Sequence, residues 1–234
     1  RTGPVKSRWD DTRGGKVELA FFVDTSGSMY TEWADICTVV YGGNFANGGY
    51  FQGIKPMLEV ANMTVYETIY GLGNTLPGAA SQGNCAGFNQ NAGPRTTPLG
   101  QTPGDDSGGI RKLPGTVYNG NTYSGYSGED WGPGSNWACL SWKDAAGNVP
   151  GNPPTGDDHR WNPNATKIVI PVSDEGPKDG DPSQQADDKA SIQEAHDNCL
   201  NAGVIPVGLY GQGYGGAGNI QSHFMDLVQC PNGV

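Results

Sequence analysis

Hydrophobic positions along the chain fall into short blocks that alternate between two periods. Residues 17–23, Val17-Glu18-Leu19-Ala20-Phe21-Phe22-Val23, form a nearly unbroken apolar run of the kind a parallel strand covered on both faces requires. In residues 31–41 the period changes, and Trp33, Ile36, Cys37 and Val40 recur at the spacing of one helix face. Residues 63–70 alternate and are rich in β-branched and aromatic side chains, so they predict a second strand that Gly71 ends. A third apolar run, Ile168-Val169-Ile170-Pro171-Val172, passes from a turn at Asn162-Pro163 into Ser173-Asp174-Glu175. Asp181-Pro182 then offers a helix cap followed by proline at the first helical position, and Ile192, Ala195, Cys199 and Leu200 mark an apolar stripe that stops at Gly203. Residues 204–210 predict the next strand, and Asn219 caps a last helix with Ile220, Phe224, Leu227 and Val228 on one face. Strands alternating with helices predict an α/β fold: a doubly wound, mostly parallel sheet flanked by helices and joined by right-handed crossovers.

Between about residues 74 and 160 the pattern dissolves into Gly, Asn, Ser, Thr, Pro and Tyr, which reads as a long insertion. A Tyr/Gly/Asn segment over 116–126 has the makings of a short hairpin, and Trp131, Trp137 and Trp142 follow it. Aromatic loops of this kind suit recognition, while Trp137, Leu140 and Trp142 also have the character of residues that pack the insertion onto the sheet. Residues 1–15 read as an N-terminal extension and 16–234 as one domain, a length sufficient for a proper core even with Gly 38 and Pro 17.

A formal charge of −10 from only 14 Lys and Arg leaves no basic stripe to neutralise phosphates, which excludes nucleic acid and anionic membrane surfaces as partners. No apolar run approaches the length of a transmembrane helix, and a start at Arg1 suggests a processed or trimmed chain.

The chemistry is concentrated where the first apolar run stops. Asp24, Ser26 and Ser28 place one carboxylate and two hydroxyls at alternate positions of a tight turn, at the carboxyl end of a strand where open α/β sheets bind ligands. Hard oxygen donors with little negative charge suit a divalent cation that retains some water. Asp-x-Ser-x-Ser in this setting resembles the metal-ion-dependent adhesion site of von Willebrand factor type A domains, and the later run into Ser173-Asp174-Glu175 is similar to that family's fourth strand, which commonly ends in Thr-Asp-Gly. The resemblance implies that Ser26 and Ser28 bind the metal directly and that Asp24 and Asp174 act directly or through water. For the remaining ligand, a loop threonine in the family, Thr75, Thr96, Thr97 and Asp130 compete; Asp130 in Gly128-Glu129-Asp130-Trp131-Gly132-Pro133 is favoured, with Glu129 facing solvent. A third carboxylate would shift preference from Mg2+ toward Ca2+ or Mn2+.

What the resemblance implies is an extracellular or cell-surface binding module, not an enzyme, in which the cation captures a carboxylate on a protein or surface ligand. The family pattern continues past the last helix with a further strand, so an open sheet edge is expected, and with it a second reading: a structural subunit of a filament or surface layer. A hydrolase is the third. Phe22-Val23-Asp24-Thr25-Ser26-Gly27 resembles the turn of aspartic proteases, but the sequence holds no second Asp-Thr-Gly or Asp-Ser-Gly, and no Gly-x-Ser-x-Gly elbow.

Five cysteines without a Cys-x-x-Cys lean toward an oxidising compartment. Two disulfides are expected, Cys37 with Cys85 and Cys199 with Cys230, leaving Cys139 as a buried thiol. Asn62-Met63-Thr64 and Asn164-Ala165-Thr166 are glycosylation sequons, each just before a strand and away from the metal end. His159, His196 and His223 have no ligand spacing and read as helix-face or surface residues.

Overall fold

The computed structural model describes residues 14–24, 28–30, 32–45, 47–71, 111–112, 116–118, 121–123, 131–139, 161, 164–177, 186–211 and 220–229. In chain order the elements are β1 (Lys16–Val23), a 3-10 turn (Ser28–Tyr30), α1 (Trp33–Tyr41), β2 (Gly43–Asn44), β3 (Tyr50–Phe51), α2 (Ile54–Val60), β4 (Thr64–Gly71), β5 (Arg111–Lys112), β6 (Thr116–Tyr118), β7 (Asn121–Tyr123), α3 (Trp131–Cys139), β8 (Thr166–Ser173), α4 (Ala186–Ala202), β9 (Val204–Pro206), β10 (Leu209–Tyr210) and α5 (Ile220–Val228).

β1 is the central strand, and the sheet runs β10-β8-β1-β4-β5 with β9 also on β8. Every pairing in it is parallel: Lys16 faces Thr64 on one side, Val17 faces Thr166 on the other, and Leu209 faces Val172. The expected α/β fold with a mostly parallel sheet is therefore present. The alternation of a strand divides β1 between two cores. Ala20 and Phe22 pack with Trp131, Val169, Ile192 and Phe224 beneath α3, α4 and α5. Leu19, Phe21 and Val23 pack with Met29, Ile36 and Val40 beneath α1. Burying each large side chain of β1 contributes about 2 kcal/mol, which only helices on both faces can supply.

Several elements differ from the sequence-based expectation. The strand expected over 204–210 is two pieces in one register on β8, because Pro206 has no N–H to give and Gly208 runs so close to Phe224 that a side chain there would clash. Hairpin β2–β3 and helix α2 were not anticipated. The hairpin's base requires Gly42 (φ 88) to back onto the Gln52 carbonyl and Gly53 (φ 93) onto the main chain of Tyr41 and Gly42, and α2, with no fully buried residue, rests on the core only through half-buried Ile54 and Leu58. Within the segment read as an insertion, β6 and β7 form the expected hairpin, with Thr116 opposite Tyr123. The same segment gives β5 to the sheet and α3 to the core, where Trp131 is fully buried and the Trp161 indole donates to the Ala138 carbonyl at 2.8 Å. The start expected for α4 at Pro182 lies outside the described residues, as do Trp142 and His159.

The disulfide assignment needs correction. Cys139 is not a free thiol but is bonded to Cys199, so Cys199 cannot pair with Cys230. The reason is packing: α3 lies directly on α4, and both sulfurs sit in the same fully buried core. Cys37 is also disulfide-bonded, while Cys85 and Cys230 lie outside the described residues. Asn62 and Asn164 are exposed at the amino ends of β4 and β8, at the opposite end of the sheet from Asp24 and Asp174.

The Cys139–Cys199 bond spans a sequence separation of 60. By the chain-entropy relation a loop of that length corresponds to about 4 kcal/mol. Replacing both cysteines by alanine is expected to lower the free energy of urea unfolding by close to that amount, and a double variant as stable as the parent would show that the bond adds nothing to α3–α4 packing.

Candidate metal centre

The carboxyl ends of β1 and β8 lie side by side, and that adjacency builds the site. Asp24 extends β1 by one residue, its backbone N–H donating to the Val172 carbonyl at 2.8 Å, and is fully buried. The Ser173 hydroxyl, last in β8, donates to Asp24 Oδ2 at 2.5 Å and accepts the Glu175 N–H at 3.0 Å. On the other side the Ser28 hydroxyl, at the start of the 3-10 turn, donates to Asp174 Oδ1 at 3.0 Å across 146 residues of sequence. Asp174 is only 2% exposed. Two buried carboxylates from neighbouring strands are thus each held by a hydroxyl from the other strand's end.

The electrostatics are one-sided. Burial pushes the Asp174 carboxyl above its ordinary range; the Ser28 hydrogen bond works against this, while Glu175 and Glu32 push it further up. Among the described residues, the charged neighbours acting on Asp174 are thus acidic. Glu32 sits where α1 begins without its side chain capping the helix, and its Cγ and the Asp174 Cβ both crowd the α-carbon face of Gly211. A side chain at Gly211 would approach each of them to 3.3 Å, and the Gly211 N–H donates to the Ser173 carbonyl. The chain leaving β10 therefore closes against the site edge.

Of the residues singled out in the sequence, Asp24, Ser28 and Asp174 are brought together; Ser26 and Asp130 lie outside the described residues, as do Thr75, Thr96 and Thr97. Trp131, which follows Asp130 in the chain, is described. Its indole N–H donates to the Glu175 carbonyl at 3.1 Å, and the next residue's N–H donates to the Pro177 carbonyl. The amino end of α3 thus meets the turn that carries Asp174. Ser173 and Glu32 were not identified from sequence. Ser173 carried a legible signal, a hydroxyl ending an apolar strand beside a carboxylate, whereas Glu32 gains its place only from the turn that follows Ser28.

Among the described residues no group of three or more His, Cys, Asp or Glu side chains is disposed to hold a metal. The described donors are instead two carboxylates and two hydroxyls, all oxygen, with no imidazole or thiolate. That donor set fits a hard divalent cation better than zinc or copper. No family model, no curated protein and no solved structure matches the chain.

Because burial raises the Asp174 carboxyl, ionising it costs the cation-free fold stability; the contribution is favourable below the ordinary carboxylate range and is lost as pH rises through the higher folded value. In chelator near neutral pH, Asp174→Asn is therefore expected to melt above the parent, by about 2–4 °C for each kcal/mol relieved. The gap should close as pH falls below about 3, where the parent carboxyl is neutral in both states. A variant that melts lower than the parent at neutral pH would mean that the carboxylate is already compensated.

Proposed function

We propose that the chain is a von Willebrand factor type A-like binding module that holds a divalent cation through Asp24, Ser26, Ser28 and Asp174, with Asp130 as the loop ligand. The observation that carries this reading is the meeting of Asp24, Ser28, Ser173 and Asp174 at the carboxyl ends of two adjacent parallel strands, buried and with acidic charge bearing on Asp174. A cation there neutralises carboxylates that otherwise repel one another in a poorly solvated site. Ser173 and Ser28 do the chain's own work, fixing the orientation of Asp24 and Asp174 before any ion arrives. With the Ser26 and Ser28 hydroxyls bound directly and carboxylates acting in part through water, such a cation keeps an open position that one further acidic group fills. The ligand is then a protein or surface group presenting a carboxylate, and the surrounding loops select among such ligands.

An extracellular or cell-surface setting accords with the Cys139–Cys199 bond. No helix among the described residues is long and apolar enough to cross a membrane. The reading as a filament subunit draws no support from the β9–β10 edge. That edge is two short pieces interrupted at Pro206, and short, proline-broken edges offer few groups for strand addition. A hydrolase of the aspartic type is equally unsupported by a parallel sheet in which Asp24 is hydrogen-bonded to Ser173.

Calorimetric titration of chelated protein with Mg2+, Ca2+ and Mn2+ is the direct test. One cation per chain is expected, with binding abolished in Asp24→Ala and weakened roughly tenfold or more in Asp130→Ala and Ser28→Ala. At about 100-fold excess over Kd the cation should add about 2.7 kcal/mol to stability, and a carboxylate-bearing peptide should bind only in its presence. Absence of heat and of stabilisation with all three cations would overturn the proposal.

A further inference from the structure

Two imidazoles are buried on the α4–α5 side of the molecule, far along the chain from the oxygen site. His223 on α5 is fully buried and neither ring nitrogen has a hydrogen-bond partner. His196 on α4 is 2% exposed; its Nδ1 lies 2.8 Å from the Leu227 carbonyl of α5, and its Nε2 has no partner. A carbonyl only accepts, so Nδ1 of His196 carries the proton and Nε2 is a bare lone pair. Leu227 is one helical turn from His223, which puts both rings in the seam between α4 and α5.

A neutral imidazole is tolerated at His223, whereas an imidazolium there brings a charge and two N–H donors that find no acceptor among the described residues. The described charged groups bearing on His223 act in opposite directions: Asp226 on its own helix favours the proton and Lys189 on α4 opposes it. His196 is the other titratable ring in the seam. β9 and β10 present no charged side chain to α5, Tyr210 being their one titratable group, and α3 meets it through Trp131. Burial is the largest influence and holds His223 below the ordinary imidazole range.

We propose that the α4–α5 seam is an acid-operated latch, in which proton uptake by His223 drives α5 off the domain. The sign follows from linkage: a depressed basic group gives stability that is present above the ordinary imidazole range and is lost as pH falls through the folded value. Asp174 and Glu67, both raised by burial, act in the opposite direction, so a loss on mild acidification does not come from them. The latch also reaches across the sheet edge. Phe224, next to His223, stacks on Trp131 at 4.1 Å between centroids and 10° between planes, and the Trp131 indole holds the Glu175 carbonyl. When α5 leaves, Trp131 loses the ring it rests on.

The test is amide hydrogen exchange in chelator at about pH 7.5 and about pH 5, with protection factors of residues 220–228 read against β1 and β8 of the same sample. Each proton taken up allows at most a tenfold loss of protection per pH unit. In the parent, α5 should lose about tenfold or more while β1 and β8 hold; in His223→Leu that loss should be absent. The nuclear magnetic resonance titration of the His223 ring in the parent should fall below about 6.5. Unchanged α5 protection in the parent, an equal loss in His223→Leu, or a ring that titrates at or above the ordinary value would each overturn the latch. If His223→Leu does not fold, the parent's exchange and ring titration decide alone.

Discussion

The burial of β1 between two parallel neighbours is the constraint on which the remaining structure depends. Its pairing with β4 and β8 leaves no free edge, and its side chains divide between two cores. A strand enclosed in this way has to be apolar on both faces and needs helices above and below, which dictates crossovers rather than hairpins between its neighbours. The same parallel arrangement brings the carboxyl ends of β1, β4, β8 and β10 to one end of the sheet. Polar residues excluded from the strand interior collect there, and Asp24, Ser173 and Asp174 are held in place by backbone pairing that the apolar core has already secured.

Polar groups that remain inside are handled in different ways. Glu67, in register with Leu19 on β1, is buried on the α1–α2 face and is met by Lys55 at 2.8 Å and by the Tyr41 hydroxyl. Its carboxyl is nonetheless raised, because desolvation outweighs the ammonium that lies beside it. Asp174 is raised for the same first reason but has carboxylates as neighbours. That contrast separates a carboxylate paired with an ammonium within the fold from one whose described charged neighbours are acidic.

α3 links the two halves of this picture. It is bonded to α4 through Cys139–Cys199, tied to the start of β8 through Trp161, and set against the Asp174 turn through Trp131. Trp131 further carries Phe224 of α5 on its face. A segment whose composition looks like loop thus supplies the buried aromatic plate on which the site's rear wall and the last helix both rest.

Much of the fold was legible in the sequence because enclosed strands and one-sided helices leave periodic traces. Residues 17–23, 63–70 and 167–172 and the stripes of α1, α4 and α5 gave their elements, and the terminal Asp24, Ser28 and Asp174 gave the site's chemistry. α2, β5 and the β2–β3 hairpin were not legible, since elements of two to seven residues are too short to show a period. The disulfide partner of Cys199 was misjudged, because which helices touch is a property of packing and not of spacing. By itself the sequence determined the class of the fold and the oxygen character of the site, both of which depend on local pattern and residue type. Only the tertiary structure decided that Ser173 holds Asp24, that Glu32 and Gly211 border Asp174, and that His196 and His223 share one buried seam. Those relations join residues far apart in the chain, and it is close packing of the two layers against the sheet that creates them.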